Sequence, residues 1–160
     1  IHKRNNFNFE PIKEVAILFF GIFITMIPAL SLLSENAENL GLTTPGDFYW
    51  ITGFLTSFLD NAPTYLNFLT VSMGLFDMDV IQRGDVLAFT QIYPEYLVSI
   101  SVSAVFFGAM TYIGNGPNFM VKSIADYSKV KMPSFLENIY KYSLLILLPF
   151  YFILWYFLFR

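Results

Sequence analysis

Cysteine is absent from the 160 residues, and histidine occurs once, at His2. Thiol chemistry, disulfides and Cys/His metal sites are therefore excluded. Charge is scarce as well. Only 13% of residues are Asp, Glu, Lys or Arg, and 12 acidic residues against 9 Lys and Arg leave a net charge of -3. Nothing in that balance suggests a nucleic-acid partner. What charge remains is informative about topology.

In its place the chain carries apolar and aromatic residues, 56% and 19% of the total, with a mean hydropathy of +0.56. Such values belong to integral membrane proteins. Helical runs separated by polar turns predict an all-α membrane protein in contact with the lipid bilayer. Residues 1–14, with His2, Lys3, Arg4 and Lys13, read as a cytoplasmic juxtamembrane segment. Residues 15–33 are long enough to span, with Pro28 kinking the far end. Glu35, Asn36, Glu38, Asn39, Gly41, Pro45 and Gly46 mark a loop. A second polar loop runs from Asp77 to about Pro94-Glu95, and residues 141–159 form a final span whose Trp155 and Tyr156 suit an aromatic belt.

The stretch from Ser57 to Tyr65 does not fit a simple span. It sets Asp60, Asn61 and Pro63 between two apolar arms within 47–76. Each arm is about 18 Å long if helical, too short for a hydrocarbon core of about 30 Å. Backbone that is not helical is tolerated in a bilayer only where protein buries it or water reaches it. The expected structure is a re-entrant helical hairpin with its tip at Asp60. A second interruption, Tyr112 to Asn118, breaks the run 95–128, because Gly114, Gly116 and Pro117 do not suit a straight helix. Before it, Ser99 and Ser103, and Ala104 and Gly108, lie four apart, a spacing that permits close helix contact.

Charge supports the hairpin. With the N-terminus cytoplasmic, a segment 47–76 that turns back keeps Lys122, Lys129, Lys131 and Lys141 on the cytoplasmic side, whereas one that crosses exports them. The predicted order is span, re-entrant hairpin, broken span, span.

Discontinuous helices at mid-membrane are where secondary carriers bind solute and coupling ion. Candidate binding residues are Asp60, Asn61, Pro63 and Thr64 at the first interruption, and Thr111, Gly114, Asn115, Gly116, Pro117 and Asn118 at the second. Asp60, Asn61 and Asn115 are the candidate Na+ ligands, and Asp60, the one acid far from a predicted interface, is also the candidate proton carrier. The plainer alternative is that Asp60 and Asn61 cap helices and that the Gly and Pro residues serve packing. Lys122 and Asp126 are spaced to pair on one helix face. No second deep acid and no deep His or Lys accompanies Asp60, so an intramembrane protease or other membrane hydrolase is poorly supported. A structural subunit would not need two polar breaks.

The segments Phe58-Leu59-Asp60-Asn61-Ala62-Pro63-Thr64-Tyr65, Thr111 to Lys122, and Val130 to Phe135 resemble the C-terminal part of the bacterial citrate transport family often labelled sodium:proton antiporters. That family is similar to the ion transporter superfamily, whose fold pairs two inverted repeats, each with a re-entrant hairpin and a broken helix. The resemblance implies tip roles for Asp60, Asn61 and Thr64 and link roles for Gly114 to Asn118. Asp60 stands where the related carboxylate carriers have Ser, a departure that favours Na+ or proton exchange. It implies a multi-pass secondary carrier of the bacterial inner membrane. A small anionic substrate such as citrate, coupling to Na+ or H+, no other cofactor, and homodimers of the full-length protein go with it; Na+/H+ antiport without an organic substrate is the alternative. The chain is expected to be a fragment holding one repeat, which would need its N-terminal repeat to transport.

Overall fold

A computed structural model describes residues 41–160, without the side chains of Phe119, Ser123 and Tyr127. Of residues 1–40 it describes only Lys13, Ala16, Ile17, Phe20, Gly21, Ile24, Thr25, Pro28 and Leu32, all helical and exposed. The expected juxtamembrane segment and the rest of the span 15–33 lie outside the described residues. Every regular element among the described residues is helical.

Helix α1, Pro45–Thr56, starts where its sequence favours a start. Thr44 is the N-cap and Pro45 follows, a position where the missing amide costs nothing. The Asp47 amide donates to the Thr44 hydroxyl at 3.2 Å, and the Thr44 amide donates to the Asp47 carboxylate at 2.9 Å. This reciprocal cap satisfies two amides that the first turn cannot. Replacing Thr44 by alanine is expected to cost about 1 kcal/mol, read as a fall of about 3 °C in apparent Tm in detergent.

Helix α2, Asn61–Gly74, returns alongside α1. Phe48, near the start of α1, meets Phe68 edge-on at 6.4 Å and shares a buried cluster with Val71. Phe68 lies midway along α2, and Val71 and Leu75 of the same cluster lie toward its far end, so the two helices are antiparallel and residues 57–60 are their turn.

Helix α3, Arg83–Ile92, falls inside the stretch read from sequence as a polar loop. Turn residues at Asp77 to Gly84 dominate that stretch, yet Val86, Phe89 and Tyr93 recur at helical spacing. They pack on Leu69 and Met73 of α2, and the Tyr93 ring stacks on Phe76 with centroids 3.7 Å apart. Burial of that stripe holds the helix.

At Pro94 the chain bends by 95° into α4, Pro94–Phe106, which continues as a 3-10 turn over Phe107–Ala109. Ser99, Ser103, Ala104 and Gly108 are buried, so the small-residue spacing does mark a contact face. It faces α1, where a Cβ on Gly53 would lie 2.7 Å from the Phe107 ring. Residues 110–115 are not helical; α5, Gly116–Tyr127, follows. The break thus begins earlier than the sequence suggested, and Gly116, Pro117 and Asn118 form the first turn of α5. Lys122 and Asp126 pair on its surface as their spacing predicts.

The last helix runs unbroken from Phe135 to Leu158 and is the one described helix both long and apolar enough to cross a bilayer; α3 with α4 qualifies if the bent pair counts as one span. It begins as α6, Phe135–Asn138, passes through a π-helical stretch, Ile139–Leu147, and ends as α7, Leu148–Leu158. Pro149 stands just after the π stretch, where it lacks an amide and its ring crowds the carbonyl four residues back. Tyr151 packs inward with Tyr49 and Phe107, and the Trp155 ring lies 5.9 Å from that of Trp50. Most of the remaining surface of this helix is exposed and apolar.

Candidate functional site

The turn of the α1–α2 hairpin and the break between α4 and α5 lie against each other. Thr111 is the hub. Its hydroxyl donates to the Ser57 carbonyl at 2.5 Å and accepts from the amides of Ile113 and Gly114 at 3.2 and 3.0 Å. One buried side chain therefore folds the link and fastens it to the end of α1. The Thr56 hydroxyl donates to the Ala104 carbonyl at 3.4 Å, and Asn118 Nδ2 donates to the Gly108 carbonyl at 3.1 Å.

Asn61 sits between the two interruptions. Its neighbours fix the carboxamide orientation: the nitrogen donates to the carbonyls of Gly114 (2.9 Å) and Ala104 (3.1 Å), and the oxygen accepts from Asn115 Nδ2 at 3.2 Å. Glycine is required on either side. A Cβ on Gly108 would collide with the Asn61 carboxamide. One on Gly114 would lie 2.8 Å from the carbonyl oxygens of Gly108 and Thr56 and 2.9 Å from that of Ser57.

The electrostatic consequence follows from where helices begin and end. Asn61 opens α2 and Asn115 is the N-cap of α5, so two helix N-termini meet through their side chains. Thr56, Ser57 and Gly108 lie at the ends of α1 and of the 3-10 turn, so carbonyls from two helix C-termini converge beside them. The partial positive charge of helix N-termini favours anions at the first pair of ends, and the partial negative charge of C-termini, whose Ser57 and Gly108 carbonyls accept from Thr111 and Asn118, favours cations at the second.

A family model described as putative citrate transport matches residues 1–159. The chain belongs to that family. No curated protein and no solved structure matches it. Membership makes the chain a membrane protein concerned with solute transport rather than with turnover chemistry, and the one or two helices able to cross a bilayer accord with this.

Within this citrate transport family chain, the expected site residues divide into two groups. Asn61, Thr111, Gly114, Asn115 and Asn118 meet at the junction through the contacts above. Asp60, Pro63 and Thr64 are turned to α2 itself. Asp60 is the N-cap, its Oδ1 accepting from the Asn61 amide at 2.8 Å, and Thr64, buried, donates its hydroxyl to the Asp60 carbonyl at 2.9 Å. Pro63 is buried in the same first turn. Gly116 and Pro117 belong to the first turn of α5, where Pro117 is exposed. Among the described residues no ion pair reaches Asp60, and no group of three or more His, Asp and Glu side chains gathers.

Four residues of the junction were not named as site residues from sequence: Thr56, Ser57, Ala104 and Gly108. Ala104 and Gly108 carried a signal, their four-residue spacing, which indicated packing without saying that an amide would be the partner. Ser57 and Thr56 contribute backbone carbonyls, and a backbone carbonyl has no signature in sequence.

Proposed function

We propose that the chain is one repeat of a cation-coupled secondary carrier of the bacterial inner membrane. In this reading residues 47–76 form a re-entrant hairpin, 95–128 a broken span and 141–159 the final span. A carboxylate such as citrate binds where the N-termini of α2 and α5 meet, between this repeat and an N-terminal one. The coupling cation, Na+ or H+, is held by oxygens of the tip and the link, from among Asp60, Asn61 and Asn115 and the nearby carbonyls. The contact between Asn61 and Asn115 carries the reading, because it sets two helix N-termini side by side where a dianion or trianion gains from both. The full-length carrier works as a homodimer.

The position of Asp60 favours a second reading, Na+/H+ antiport without an organic substrate. One oxygen of its carboxylate caps α2, and the other accepts no hydrogen bond among the described residues, leaving it open to a proton or Na+. The two readings separate in vesicles holding the full-length protein. Uptake of labelled citrate that rises with an inward Na+ or proton gradient is the expected result. Gradient-driven movement of Na+ and H+ with no citrate uptake supports antiport instead. Asp60→Asn keeps the cap oxygen and removes the charge, so it is expected to raise the half-saturating Na+ concentration about ten-fold or to flatten the pH dependence of flux. Unaltered ion dependence in that variant would remove Asp60 from the coupling.

A further inference from the structure

The end of α4 leaves carbonyls without helical donors, and the last helix supplies them. In the 3-10 turn the Met110 amide goes to the Phe107 carbonyl at 2.9 Å, so Phe106 loses the donor that an α-helix would provide. Tyr151 fills the gap, its hydroxyl donating to the Phe106 carbonyl at 2.5 Å. Met110 would have received the Gly114 amide, which instead turns to Thr111. Its carbonyl takes the Ser143 hydroxyl at 2.5 Å. The single Ser143 proton has a second acceptor, Asn138, only at 3.4 Å, so Met110 is its partner. Ser143 is fully buried.

Ser143 and Tyr151 reach one helix end because of the π stretch. Eight residues at about 3.6 per turn would leave them about 80° apart around an α-helix. A π turn takes up more residues, so each residue rotates less, and Ser143 comes round toward the face of Tyr151.

We propose that Ser143, set by the π register that precedes Pro149, is a positioning residue for the link. It holds Met110, the residue before Thr111, and through Thr111 fixes Ile113, Gly114 and the attachment to Ser57. This rests on the transport reading for the link's role, while the hold on the link itself is readable without transport.

The experiment uses the full-length carrier in vesicles. Ser143→Ala is expected to raise the half-saturating citrate concentration about ten-fold with the maximal rate within about two-fold. It is also expected to speed amide hydrogen exchange across residues 110–115 and leave 94–104 unchanged. Ser143→Cys, which keeps a weak donor, is expected to fall between. Unchanged exchange at 110–115 in Ser143→Ala, or faster exchange with unaltered half-saturation, overturns the proposal. A wild-type carrier that takes up no citrate, and whose exchange at 110–118 ignores Na+, pH and citrate, overturns the transport reading instead. The Ser143 proposal is then decided by exchange alone.

Discussion

On the proposed transport reading, Gly114→Ala is expected to reduce citrate uptake on the order of 30-fold or more while leaving helical content intact. The added methyl would stand 2.8 Å from the oxygens of Gly108 and Thr56 and 2.9 Å from that of Ser57. All three are main-chain atoms, so no side-chain rotation relieves the crowding. Either the link withdraws from the hairpin, breaking the hydrogen bond from Thr111 to Ser57, or the strain remains. Overpacking of this kind costs about 1–3 kcal/mol, and at about 1.4 kcal/mol per ten-fold the upper part of that range corresponds to roughly 30-fold or more. Uptake, circular dichroism and thermal stability together measure it. Gly84→Ala is the control. Nothing lies within 4 Å of the position where its Cβ would be, in the first turn of α3, so uptake should not change. Wild-type uptake in Gly114→Ala would mean that the link and the tip do not touch during transport.

The close fit that makes Gly114 sensitive was only partly legible beforehand. The two interruptions announced themselves because each sets polar and helix-breaking residues inside an apolar run, and the chain does abandon helical backbone near both. Asp60 was less decidable. One carboxylate can cap a helix and bind an ion, and the cap, a local contact with Asn61, is what the structure displays. Helix α3 was hidden for a different reason. Its first residues and the stretch before it are turn formers, so composition read as a loop, while Val86, Phe89 and the adjoining Tyr93 decided the outcome by packing on α2.

The π stretch shows the limit most directly. Pro149 predicts a disturbance one turn earlier, but a kink would serve the backbone equally well. The choice of a π register follows the partner across the gap, the Met110 carbonyl, and no spacing within the last helix encodes that partner. The same holds for Asn61, where Asn two residues before Pro reads as a cap, while its actual partners lie more than forty residues further along the chain.

Asn61→Asp tests that junction by charge at nearly constant shape. The wild-type nitrogen donates to two carbonyls, and an ionised carboxylate would turn an acceptor toward both. The Ala104 carbonyl would keep only the Thr56 hydroxyl at 3.4 Å, and the Gly114 carbonyl would lose the donor it has here. A buried carbonyl without its donor costs about 1–3 kcal/mol, so a loss of that order is expected at neutral pH, together with loss of transport. Asn115 Nδ2 can still donate to the introduced group, so the site should loosen rather than unfold. The lesion should also depend on pH. Facing carbonyl oxygens, the new carboxyl would be held above the ordinary Asp value of about 3.9 in the folded protein. The folded state then retains its proton over a range where the unfolded state has lost it. Stability of the variant relative to wild type is therefore greatest below about pH 4 and falls as pH rises through the raised folded value, where the proton that donates to one carbonyl is lost. Asn61→Leu supplies the comparison, since it removes both donors without adding a titrating group and its deficit should not vary with pH. Thermal unfolding in detergent at pH 5 and pH 8 separates the two. Parallel shifts for both variants at both values would mean that the Asn61 carboxamide does not face the Gly114 and Ala104 carbonyls.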